Sequence, residues 1–189
     1  MDKDSQRFRA IVSANSRIRH PEEFSIGVGS ILDDFCYIST RLRIGRFTHV
    51  ASGCSIAGGA ARLCEIGDFC SLSSGVKVWC ASDDFVNDLV CSPMGAHVKE
   101  HLIEGDVVIG RSCAIGSNSV IMPRNHIPDG VSIGALSFVP TEFPFEPYWV
   151  YAGVPIRKIK PRNRENVERQ ATSLEAMLGR FHGENGPSD

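Results

Sequence analysis

An aliphatic residue recurs at every sixth position, and no other feature of the chain limits its fold so tightly. Steps of six from Ile26 meet Leu32, Ile38, Ile44, Val50 and Ile56. After four extra residues the walk resumes at Ile66, Leu72 and Val78. After a further 25 it resumes at Ile109, Ile115, Ile121, Ile127, Ile133 and Val139, so all fifteen positions are Ile, Leu or Val. The next residue is glycine six times (Gly27, Gly45, Gly67, Gly110, Gly116, Gly134). Four residues after the aliphatic comes Ser, Thr, Ala, Cys, Val or Asn in thirteen of fifteen cases, and only Leu42 and Phe143 break that rule.

Period six matches neither the 3.6 of a helix nor an alternating strand of unlimited length. It matches short strands joined by corners, with side chains alternating inward and outward along each strand. The aliphatic and the small residue two places before it both point inward, and glycine-rich corners tolerate backbone angles that bulkier residues resist. Three strands make a triangular coil, and fifteen hexads make five coils, a prism about 24 Å tall at about 4.8 Å per rung. Cys36, Cys54, Cys70 and Cys113 fall in the small inward slot. They read as small buried hydrophobes, not as metal ligands or redox centres.

Composition narrows the function classes. A formal charge of -2 argues against a strongly basic nucleic-acid binder. No apolar run reaches the roughly 18 residues of a membrane span. The start, MDKDSQRFRA, has no apolar core of a secretory signal. Seven cysteines without a Cys-x-x-Cys pair fit a reduced, cytoplasmic protein.

The pattern of aliphatic, small residue, two free positions and a second small residue resembles that of the hexapeptide-repeat acyltransferases. The resemblance covers residues 24–162. The segment from Tyr151 to Arg162, with Ala152-Gly153-Val154-Pro155 at its start, looks like the family's closing motif, although Ile156 stands where alanine is usual. Ser82-Asp83-Asp84-Phe85 and Thr48-His49-Val50-Ala51 look like a subgroup of O-antigen and capsule biosynthesis. The resemblance implies an all-β, left-handed parallel β-helix, a homotrimer, acetyl-CoA as cosubstrate and a sugar hydroxyl or amino group as acceptor. Residues 1–23 are expected to cap the prism, 84–108 to leave it as a loop, and 163–189 to form a terminal helix and tail. Val167, Leu174, Met177 and Leu178 offer that helix an apolar stripe.

Stacking assigns outward positions to three faces. The first carries Ile31, His49, Ser71, Ala114 and Ser132, and the second Tyr37, Ser55, Lys77, Val120 and Phe138. The third carries Arg43, Ala61, Asp83 and His126, which sets Asp83 one coil from His126.

Acyl transfer needs a proton acceptor, donors for the oxyanion and a groove that orients the thioester. His49 is the candidate base, with Asp83 or Asp84 of an adjacent subunit orienting its ring. His97 and His101, in the loop, are candidate acceptor contacts. The family's glycine-histidine pair before the loop is replaced by Ser82-Asp83, which leaves other proton acceptors open. Gly116, Ser117, Gly134 and Ala135 are implied to line the acyl-CoA groove, and Lys160 and Arg162 to meet its phosphates. A zinc enzyme of the carbonic-anhydrase type would need three converging histidines, and the spacing that supplies them is absent, so no metal is expected. The remaining alternative is a non-catalytic scaffold or assembly subunit, since fold alone never proves activity.

Overall fold

The computed structural model describes residues 8–90 and 100–183, with side chains as far as Met177 in the final helix. The hexads form rungs of a parallel β-solenoid. One sheet stacks Ile11–Val12, Ile31–Leu32, His49–Val50, Ser71–Leu72, Ala114–Ile115, Ser132–Ile133 and Trp149–Ala152, all parallel. Arg157–Pro161 then returns antiparallel along Trp149–Ala152.

The five expected coils are therefore seven. At the lower end Val12 and Ile18 keep the six-residue step, but the 3-10 turn Pro21–Glu23 stretches the next step to Ile26. Part of the segment expected to cap the prism is thus coiled itself. At the upper end the six-residue walk continues, but Phe145 and Tyr151 take the slots that aliphatics hold below. Tyr151 is buried, and its ring meets Phe143 and Phe145 edge to face. Its hydroxyl accepts the backbone N–H of Glu146 at 2.8 Å, which lets a phenol sit in the core.

Every aliphatic of the walk that lies between Leu32 and Val139 is buried, as are Cys36, Cys54, Cys70 and Cys113. The inward-slot reading of these cysteines holds. The corner glycines serve a different purpose from the one expected. Gly45 and Gly67 do not have a positive φ. A Cβ on Gly67 would instead lie 2.8 Å from the backbone of Gly110 in the next coil. The left-handed corner positions are held partly by larger residues, among them Phe47, Phe69 and Tyr148.

The first and second faces follow the expected columns. The third does not: its outward column is Ser25, Arg43, Glu65, Val108 and His126. Glu65 replaces Ala61 because the four extra residues swell out of the strand Ser55–Ile66, shifting its register from Thr40↔Gly59 to Arg41↔Leu63. Val108 replaces Asp83 because the long excursion is inserted before the third-face strand Val107–Ile109. Asp83 pairs with Leu102 in that excursion, so the expected stacking of Asp83 on His126 does not occur.

A helix, Arg164–Gly183, follows the last coil and starts with the Asn163 side chain accepting the N–H of Asn166. Val167, Ala171 and Leu174 face a corner ladder in which the rings of Phe47 and Phe69 stack 5.8 Å apart. Met177 is exposed and is not part of the apolar stripe, which runs through Ala171 instead. The Leu178 side chain lies outside the described residues.

Candidate active site

The excursion begins and ends as a hairpin, Ala81–Asp83 antiparallel to Leu102–Glu104. An ion pair between Arg62, on the outward swelling, and Glu104 fastens it to the solenoid. Between hairpin and prism lies a cleft of about 790 Å³. Trp79, Leu102, Val120, Met122 and Phe138 give it apolar walls, and Asp83 and Asp84 stand at its polar edge. The upper second face thus supplies one wall, because Val120 and Phe138 point outward from successive rungs. An apolar cleft with few polar groups is the usual form of a small-molecule site.

Asp84 opens the turn after the first hairpin strand. Its carboxylate accepts the side-chain amide of Asn87 at 2.6 Å and the backbone N–H groups of Val86 and Asn87. The Asn87 amide and these N–H groups hold it below the usual carboxylate range. Four residues on, Asp88 has a nearly buried side chain, 6% exposed. It accepts Nδ1–H of His101 at 3.1 Å and the backbone N–H groups of His101 and Glu100 at 2.8 and 3.1 Å. The imidazole bond lowers the Asp88 pKa, and the Asp88 carboxylate raises that of His101. Sequence reasoning singled out His101 but missed Asp88. The available signal was an acid in the same excursion as two histidines.

His49 stands on the first face, directly above Ile31 and below Ser71. Its Nε2–H donates to Asp33 of the same chain at 2.8 Å. Within one chain, then, His49 is oriented by Asp33, whereas Asp83 and Asp84 belong to the cleft. His97 lies outside the described residues.

Ile115 pairs with Ile133, so Gly116-Ser117 and Gly134-Ala135 follow as equivalent corners in successive coils. A Cβ on Gly116 would lie 2.3 Å from the backbone nitrogen of Ala135, so coil packing alone demands glycine there. Ala135 is exposed at the corner. Arg162 bonds the carbonyls of Ser112 and Gly130, which commits one arm of its guanidinium to the scaffold. Lys160 is exposed on the returning strand. Trp149 is partly buried, and Lys158 covers its ring at 3.6 Å.

No family model matches the chain. Its similarity to known proteins is nevertheless extensive. The crystal structure of AntD, an N-acyltransferase from Bacillus cereus in complex with dTDP and 3-hydroxybutyryl-CoA, is 32% identical. It superposes with a TM-score of 0.81 over 93% of this chain and 94% of that one. The dTDP-4-amino-4,6-dideoxy-D-glucose acyltransferase of Escherichia coli is 27% identical over 161 residues, 84% of this chain and 82% of that protein. "Putative lipopolysaccharide biosynthesis O-acetyl transferase WbbJ" of Escherichia coli K12 is 29% identical over 165 residues, 84% of this chain and 79% of its own.

Proposed function

From the premise that this chain belongs to the hexapeptide-repeat sugar acyltransferases, we propose that it acylates an amino or hydroxyl group of a nucleotide-linked sugar. It is an acyl-CoA-dependent acyltransferase, and a purely structural role is set aside. One observation carries the choice of acceptor: the likeness to AntD, bound to dTDP and an acyl-CoA, spans nearly the whole of both chains. The product would feed surface-polysaccharide assembly, as the name of WbbJ suggests for that protein. Acetyl-CoA is the expected donor.

In this reading the acceptor enters the cleft, and Asp83 and Asp84 hold its amino or hydroxyl group. The donor's pantetheine arm runs along the corners at Gly116-Ser117 and Gly134-Ala135, with Lys160 and the free arm of Arg162 toward its phosphates. The acceptor nitrogen or oxygen attacks the thioester carbonyl carbon. A base takes its proton, the C–S bond breaks, and the thiolate takes the proton back from the base, releasing the thiol of CoA.

We extend the proposal to assembly. A left-handed solenoid assembled as a homotrimer would set the first face of one copy, with His49, against the hairpin of the next. His49 would then meet the acceptor from across the interface, near the neighbour's Asp83 or Asp84. Exposed apolar residues on the faces and corners, Phe35, Leu136 and Phe138, support burial against another copy. A cytoplasmic site of action is part of this proposal and rests on the CoA-linked and nucleotide-linked substrates. Separately, no helix among the described residues is long and apolar enough to cross a membrane.

The test is direct. Purified protein, acetyl-CoA and dTDP-4-amino-4,6-dideoxyglucose should release free CoA thiol and give the acylated nucleotide sugar by mass spectrometry. Thiol release without acylated sugar, across amino and hydroxyl acceptors, would refute the reading.

A further inference from the structure

The excursion holds an imidazole–carboxylate pair that no sequence motif marks, and we propose that His101, oriented by Asp88, is the base that takes the acceptor's proton. The inference rests on the acyl-transfer reading above and adds the identity of the proton acceptor.

Among the described residues, two histidines are hydrogen-bonded to carboxylates, His49 to Asp33 of the corner after the strand beneath it and His101 to Asp88 of its own excursion. They differ in how firmly the carboxylate is held. The Asp33 side chain is 39% exposed, while that of Asp88 is 6% exposed. Asp88 also accepts the backbone N–H groups of Glu100 and His101 on Oδ2, which leaves Oδ1 for the imidazole. A carboxylate with three donors, nearly withdrawn from water, imposes one ring orientation and one tautomer. With Nδ1–H donated to Asp88, the Nε2 lone pair of His101 is the free base, and no described residue occupies it.

Position agrees with this role. His101 directly precedes Leu102, which lines the cleft and pairs with Asp83. It also lies within electrostatic reach of Asp84, at the cleft's polar edge. The imidazole therefore lies within reach of Asp84 at the margin of the cleft, outside the set of residues that line it. In the step proposed, Nε2 accepts the proton as the acceptor atom bonds to the carbonyl carbon. The imidazolium returns that proton to the departing thiolate, so His101 ends neutral and no further reactant is consumed.

Among the described residues, Asp88, Asp84 and Glu100 are the charged groups that act on His101, and all three favour its protonated form. Its pKa lies above the ordinary histidine value for that reason. The acid limb of kcat/KM should accordingly fall above pH 6.5, with activity lost as pH drops through it. Asp88→Asn removes the largest of these contributions and should move the limb to lower pH.

The decisive variant is His101→Ala, assayed with acetyl-CoA and dTDP-4-amino-4,6-dideoxyglucose. We expect kcat to fall about 10²- to 10⁴-fold, with KM for acetyl-CoA little changed and the acid limb abolished. Added imidazole should restore part of the rate, which a merely structural histidine would not show. Turnover within about threefold of wild type, or a retained acid limb, overturns the assignment while leaving the acyltransferase reading intact. If Asp88→Asn fails to fold, imidazole rescue of His101→Ala still decides. Wild-type protein inactive with every amino and hydroxyl acceptor would overturn the reading and this assignment together.

Discussion

His49 Nε2 stands 2.8 Å from Asp33 Oδ2, a residue of the corner that follows the strand beneath it. The bond holds the ring on the first face and leaves Nδ1 as an acceptor. If His49 contacts the acceptor from a neighbouring copy without taking its proton, His49→Ala should raise the acceptor KM about tenfold and lower kcat far less. Steady-state kinetics check this. A large fall in kcat at unchanged KM would move the base from His101 to His49.

The donor groove makes a separate prediction. Acetyl-CoA should raise the melting temperature by mass action, by an amount that grows with its concentration. Ala135→Trp, at an exposed corner, should abolish that rise by filling the groove while leaving the unliganded melting temperature near wild type. An undiminished rise would place the pantetheine arm elsewhere.

Assembly is testable without substrate. Sedimentation at micromolar concentration should give three times the 20.6 kDa of one chain. A monomer would remove the interface from the site and with it the role assigned to His49.

The terminal helix is clamped by charge. Glu175 Oε1 lies 2.8 Å from Arg111 and 3.5 Å from Arg46, and Arg46 in turn meets Asp68 at 2.6 Å. These side chains are about 23–42% exposed, so the network contributes modestly. Glu175→Gln should cost about 0.5–1 kcal/mol. At this chain length that is roughly 1–4 °C in Tm, shrinking further in high salt.

Two glycines separate two kinds of corner constraint. Gly67→Ala would drive a Cβ to 2.8 Å from the backbone of Gly110 and should cost about 1–3 kcal/mol, the range for overpacking. Gly53 has φ +72 and open space around it, so Gly53→Ala bears only the left-handed backbone cost of about 1–2 kcal/mol. Thermal melts should rank Gly67→Ala as the more damaging. The reverse order would mean that coil spacing yields more easily than backbone angle.

The core was legible in the sequence because a solenoid repeats one local solution. Each inward aliphatic meets its counterpart one coil away, so spacing alone predicted Leu32 on Val50 and Ile115 on Ile133. The same locality made buried slots of Cys36 and Cys113 readable. The end coils escaped because Phe145 and Tyr151 keep the period but change the residue type, and the turn at Pro21–Glu23 stretches it.

What the sequence by itself determined is the repeating interior and, through the repeat, the family. What only the tertiary structure decided is where the insertions go and what they bring together. Four extra residues that bulge from a strand replaced Ala61 by Glu65, and an excursion inserted before a rung separated Asp83 from His126. The pairing of Asp88 with His101, 13 positions apart, depends on how that excursion folds back on itself. The physical reason is that stacked coils have one spacing and one register, so period reports structure. An irregular excursion has neither, and its contacts follow from hydrogen bonds that no period encodes.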